Sequence, residues 1–142
     1  MRLFLDANIL FLTGYSATSA VHDLLALAAA GHCELLSSEY AFEEARRNVR
    51  LKTSAGSLEP FDAATIRIIH VQEASRAALE QAQSVSLSDA SDIPILAAAI
   101  QAQADALVTG DRRAFGRFFG QRVGRLRILR LRDAITEILD AM

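Results

Sequence analysis

The sequence predicts an α/β fold with a mainly parallel five-stranded sheet, in a single domain spanning residues 1–142. Three observations lead there. Short apolar runs alternate with longer stretches of helical periodicity, the pattern of βαβ units. Two of those runs lead into an acid: Arg2-Leu3-Phe4-Leu5 precedes Asp6, and Ala106-Leu107-Val108-Thr109-Gly110 precedes Asp111. Open parallel sheets bind ligands at the carboxyl ends of their strands, so acids there have a use. Finally, 142 residues with 51% apolar content can bury a core without staples.

Each element follows from local chemistry. The apolar run predicts a first strand at about residues 2–5, then a short helix near 7–13. A second helix at about 18–31 gathers Val21, Leu24, Leu25, Leu27 and Ala28 on one face, and Gly31 stops it. The second strand is expected at about 33–36, after which Ser37 and Ser38 cap a helix at about 39–52. Ser54 to Ser57 reads as loop, a helical turn follows near 58–64, and a third strand at about 66–71. A helix near 73–83 gives way to the polar stretch Ser84 to Ser91. Pro94 falls in the first turn of a helix at about 93–103, where its missing N–H is harmless. The fourth strand is expected at about 106–109, a short helix at 111–118, the fifth strand at 126–130 and a last helix at 132–140. No repeat or linker divides the chain.

Composition narrows the function. The longest uncharged apolar runs, Leu24 to Ala30 and Ile93 to Ile100, are too short to cross a bilayer, so no membrane role is expected. No basic segment precedes the first strand, so no secretory signal is expected. A lone Cys33 fits a reducing cytoplasm and reads as a small buried hydrophobe. Charge is unevenly spread: residues 1–111 carry 7 basic and 14 acidic side chains, while 112–142 carry 8 and 3. All eight late bases are arginines, and they begin directly after Asp111. An acidic pocket beside a phosphate-attracting rim accounts for that asymmetry.

The acids form a constellation. Asp6 and Asp111 end strands that are neighbours in a doubly wound sheet. Asp92 starts a helix, either capping it or facing a crevice, and Asp89 raises the local acid density. At 3.6 residues per turn Glu43 shares a face with Glu39, Arg46, Arg47 and Arg50, an ion-paired surface. Glu44 shares its face with Tyr40, Ala41, Asn48 and Leu51, bordering the apolar stripe. The inward glutamate is therefore Glu44, with Glu43 as the alternative. Buried carboxylates need partners, and a divalent cation can hold several together.

Four strings carry a resemblance: Phe4-Leu5-Asp6-Ala7-Asn8-Ile9-Leu10, then Ser38 through Glu44-Ala45-Arg46-Arg47-Asn48-Val49, then Asp89 through Asp92-Ile93-Pro94-Ile95-Leu96, then Leu107-Val108-Thr109-Gly110-Asp111. In order and spacing they resemble a PIN domain, most of all the small single-domain prokaryotic members that include the VapC-type toxins. The resemblance implies a Rossmann-like three-layer α/β/α fold and a ribonuclease dependent on Mg²⁺ or Mn²⁺. Asp6, Glu44, Asp92 and Asp111 would be the catalytic, metal-binding acids, with Asn8, Thr109 and Asp89 supporting them. It further implies an RNA substrate, a homodimer, and a cognate antitoxin that masks the site.

The expected chemistry is metal-assisted hydrolysis of an RNA phosphodiester, which needs no side-chain base. Consistently, His22, His32 and His70 stand beside none of the acid motifs and read as surface or packing residues. Arg112, Arg113 and Arg117 are expected to meet RNA phosphates. Phe115, Phe118 and Phe119 lie among the arginines, where at least two should be core and the rest could stack on bases. A receiver-type phosphoacceptor would need a lysine at its last strand, where Arg127 and Arg130 stand; a haloacid-dehalogenase-like phosphatase would need an acid where Asn8 stands. The remaining alternative is a catalytically silent PIN-like module that binds RNA or protein.

Overall fold

The computed structural model describes residues 1–53, 58–85 and 90–142. The chain runs through β1 (Arg2–Leu5), α1 (Ala7–Tyr15), α2 (Val21–Ala29), β2 (Glu34–Ser38), α3 (Glu39–Lys52) and α4 (Glu59–Thr65). It continues through β3 (Ile69–Val71), α5 (Arg76–Gln83), α6 (Ile93–Gln101), β4 (Ala106–Val108), α7 (Arg112–Phe115), β5 (Arg122–Val123), β6 (Leu126–Leu129) and α8 (Leu131–Asp140). Tight helical turns at Ala90–Asp92 and Gly116–Phe118 precede α6 and follow α7.

The strands form one sheet in the order β3-β2-β1-β4-β6-β5. Every pairing is parallel except β5 with β6. Among the described residues the sheet thus has six strands rather than five. The additional strand is only Arg122–Val123, too short to show an alternation in sequence, and it turns back on β6 through Gly124, whose φ of 63° favours glycine. From β1 the chain builds outward to β2 and β3, then returns to place β4 on the other flank of β1. Direction therefore reverses between β1 and β4, the place where open α/β sheets leave a crevice.

Past Arg2 the central strands β1 and β4 are apolar, as strands covered on both faces must be. Leu3, Phe4, Leu5, Ala106, Leu107 and Val108 are completely buried, and α6 adds Ile95, Leu96, Ala97, Ala98 and Ala99 to the same core. On the other helical layer α1 packs against α3 and α4. Gly14 makes that approach possible: a Cβ there would sit 2.7 Å from the Cβ of Phe61. Cys33 is buried, and burial pushes its thiol pKa up, as a packing residue requires.

Several boundaries shift for local reasons. Ser38, not Ser37, caps α3 by accepting from Ala41 N–H; Ser37 still belongs to β2 and donates to the Leu5 carbonyl. The second helix begins at Val21 because Ser19 turns the chain there, accepting from the Val21 N–H. Gly31 ends it with a φ of 87°, as expected. Residues 66–68 are turn and bend rather than strand, so β3 begins at Ile69. Ser75 caps α5, which starts there instead of at residue 73. The left-handed Gln103 (φ 55°) closes the segment after α6. The loop expected at Ser54–Ser57 lies outside the described residues. Among those described, no helix is long and apolar enough to cross a membrane.

Candidate active site

β1 and β4 pair with Leu5 opposite Val108, which sets their following residues side by side at the carboxyl edge. The Asp6 N–H extends the ladder to the Val108 carbonyl at 3.0 Å. The Asp6 carboxylate then turns into the crevice. Its Oδ1 accepts from Ala7 N–H at 2.7 Å, and its Oδ2 accepts from the Thr109 hydroxyl at 2.7 Å and from Asn8 Nδ2 at 3.2 Å. The Asn8 Oδ1 accepts from Gly110 N–H at 2.9 Å, so its amide is oriented at both ends. The Thr109 Oγ1 also accepts from Asp111 N–H at 3.1 Å. Asp6, Asn8, Thr109 and Asp111 are thereby one connected unit across the switch point.

The remaining groups arrive on helices. Asp111 is the N-cap of α7: its Oδ1 accepts from Arg113 N–H at 3.0 Å and Ala114 N–H at 3.1 Å. Glu44 is half-buried on α3, whereas Glu43 is exposed and paired with Arg46 at 2.5 Å. That assignment of inward and outward glutamates agrees with the helical face read from sequence. Asp92 ends the helical turn before α6 and is half-buried there, without capping α6 through its side chain. Its neighbourhood is tied to α3, since the Tyr40 hydroxyl donates to the Ser91 carbonyl at 3.1 Å. Tyr40 lies one helical turn before Glu44, so this bond brings the start of α6 toward the glutamate's face. Sequence reasoning placed Tyr40 on that face but gave no sign of the bond, which joins residues 51 positions apart. Asp89 lies outside the described residues.

Electrostatics link three of the four acids. Asp6 is only 3% exposed, and burial pushes its carboxyl up to about 6 from an ordinary 3.8. Hydrogen bonds from Thr109 and Ala7 pull it down, while the charges of Glu44 and Asp111 push it further up. Among the described residues, no three acidic, histidine or cysteine side chains stand in position to share one ion. Arg112 and Arg113 are exposed on α7, and the Arg117 guanidinium lies over the Phe118 ring at 4.7 Å. Phe115 is fully buried, with Phe118 and Phe119 half-buried against the core.

A crevice at a sheet reversal, with Asp6 and Asp111 joined through Thr109 at the carboxyl ends of β1 and β4, is the feature of an open, mainly parallel α/β fold. Within that class the chain belongs to the PIN domain family, whose profile matches residues 2–113. No protein of curated function matches the sequence. The fold is similar to that in the complex of VapBC2 from Rickettsia felis with a DNA fragment from their promoter, at a TM-score of 0.67 and 17% identity over 92% of this chain and 98% of that one. It is similar to FitAcB from Neisseria gonorrhoeae, at 0.60 and 19% over 91% and 97%. It is also similar to VapC20 of Mycobacterium tuberculosis, a sarcin-ricin loop cleaving toxin, at 0.52 and 15% over 78% and 90%. Identities this low establish a shared fold.

Proposed function

We propose that the protein is a divalent-metal-dependent endoribonuclease, the toxin half of a toxin–antitoxin pair. One observation carries this reading: Asp6, buried at the β1–β4 reversal, is tied through the Thr109 hydroxyl to the backbone of Asp111, with Glu44 near enough to raise its pKa. A carboxylate costs free energy in such a place without a cation. The donor set fits Mg²⁺ or Mn²⁺, since hard oxygen donors suit those ions and no cysteine or histidine competes. Such an ion, when bound, would neutralise charge and acidify water. Asp6 and Asp111 would hold it most directly, with Glu44 and Asp92 contributing from α3 and the start of α6. Asn8 and Thr109 would fix the Asp6 carboxylate in its orientation, and Arg112, Arg113 and Arg117 would attract RNA phosphates.

The likeness to VapBC2 and FitAcB, and to VapC20, a sarcin-ricin loop cleaving toxin, supports an antitoxin partner and an RNA substrate here. A homodimer is part of the same reading. The test is incubation with defined RNAs in Mg²⁺, Mn²⁺ or EDTA, using wild type, Asp6→Asn and Asp111→Asn. Cleavage that requires an ion and disappears in both variants is the expected result. RNA binding with no cleavage under any ion would instead make the protein a silent binding module.

A further inference from the structure

A hollow beside the acids is bordered by Thr109, Gly110, Arg112, Phe119, Arg130 and Arg132. Its apolar wall comes from Ile9, Leu12 and Leu131. Three arginines from two parts of the chain, the first turn of α7 and the start of α8, thus border one concavity. Ion pairing accounts for Arg130 but not for Arg112 or Arg132. Arg130 and Arg132 stand at the positive end of the α8 dipole, where cations are disfavoured. Among the described residues Arg112 and Arg132 have no ion-pair partner, and both are exposed. Arg130 is held in place: its guanidinium lies 5.7 Å from the Phe119 ring centre, and its Nε donates to Asp133 at 3.1 Å.

From this geometry we infer that the hollow is a docking subsite for single-stranded RNA, in which Arg112 and Arg132 take a backbone phosphate flanking the scissile one. The inference rests on the ribonuclease reading. Thr109 joins the two places, because it borders the hollow and its hydroxyl donates to Asp6. An RNA phosphate seated on the arginines therefore continues directly toward the carboxylates. Phe119 is partly exposed at the hollow, and a base can stack on such a ring only when it is unpaired. The arrangement favours a single strand over a duplex for that reason.

The test measures binding in EDTA of a short fluorescent single-stranded RNA to full-length Asp6→Asn protein across a range of salt concentrations. Arg112→Gln and Arg132→Gln, each added to that background, should weaken binding several-fold. Each should also reduce the slope of log affinity against log salt by about 0.7, the value for one lost phosphate contact on a single strand. Arg132→Lys should recover most of the slope. Arg125→Gln, at a separate hollow with Asp105, should change neither quantity. A duplex of the same sequence should bind more weakly. Unchanged slopes, equal losses with Arg125→Gln, or preference for the duplex would overturn the subsite. Ion-dependent cleavage by the wild type is scored separately, so its absence alongside altered slopes would remove the nuclease and leave the subsite standing.

Discussion

The Thr109 hydroxyl donates to Asp6 Oδ2 at 2.7 Å, joining the ends of two strands that are 103 residues apart in sequence. The same oxygen accepts from the Asp111 N–H, so one threonine ties together two of the acids. Replacing it with valine keeps the shape and removes the link. Thr109→Val should cost about 1–3 kcal/mol in chemical unfolding, because Asp6 Oδ2 loses a buried donor. It should also raise the Asp6 pKa beyond about 6, since the Thr109 bond holds that value down. Thr109→Ser should restore both. A valine variant as stable as wild type would show that the hydroxyl is not needed to join the strands.

The raised Asp6 pKa makes a signed prediction about stability. The folded protein binds this proton more tightly than the unfolded chain, so in EDTA stability should fall as pH rises from about 3.8 to about 6. Above that window the ionised Asp6 costs about 3 kcal/mol. Asp6→Asn removes the charge but leaves the amide one acceptor for two sets of donors. The variant should therefore be more stable than wild type by roughly 2 kcal/mol at pH 7.5, and by almost nothing near pH 4. Denaturant titrations at both pH values decide the matter, and a less stable variant at pH 7.5 would contradict it.

Adding a divalent ion should reverse that ranking. At one hundred times its dissociation constant an ion stabilises the fold by about 2.7 kcal/mol. For a chain of this size that is a rise of roughly 8 °C in Tm. Wild type should show the rise with Mg²⁺ or Mn²⁺ and lose it on chelation, while Asp6→Asn and Asp111→Asn should show little. An equal rise in all three would place any bound ion away from the crevice.

The two adjacent glutamates should behave differently. Glu43 is exposed and paired with Arg46, so Glu43→Gln should alter stability by no more than about 0.5 kcal/mol. Glu44→Gln removes one of the charges that raise Asp6, so the pH window of the wild type should move down in that variant. It should also blunt the ion-induced rise in Tm. The opposite pattern would assign the site to Glu43.

A last prediction concerns packing. Alanine is a better helix former than glycine by about 1 kcal/mol, so Gly14→Ala would stabilise an isolated α1. In the folded protein the new methyl would meet the Phe61 Cβ at 2.7 Å and the Val49 Cγ2 at 3.3 Å. Neither is the far end of a flexible chain. A net loss of about 1–3 kcal/mol is expected in thermal or denaturant unfolding. A net gain would mean that α1 and α4 can separate without penalty.

The sequence by itself determined the fold class and most of the order of elements along the chain. It could do so because burial has a period: fully apolar strands, helical stripes and capping residues such as Ser38 and Gly31 act within a few positions. The helical period also set Glu44 toward the apolar stripe and Glu43 toward solvent, in line with Glu44 being half-buried and Glu43 exposed. Tertiary structure decided what depends on distant pairings. The order β3-β2-β1-β4-β6-β5 makes the crevice lie between Asp6 and Asp111, and only that pairing lets Thr109 reach Asp6. It decided that Tyr40 bonds the turn that ends at Asp92, and that Arg130 and Arg132 border one hollow with Arg112. Sequence spacing carries no record of these contacts, because a hydrogen bond or a shared hollow constrains position in space and leaves no period along the chain.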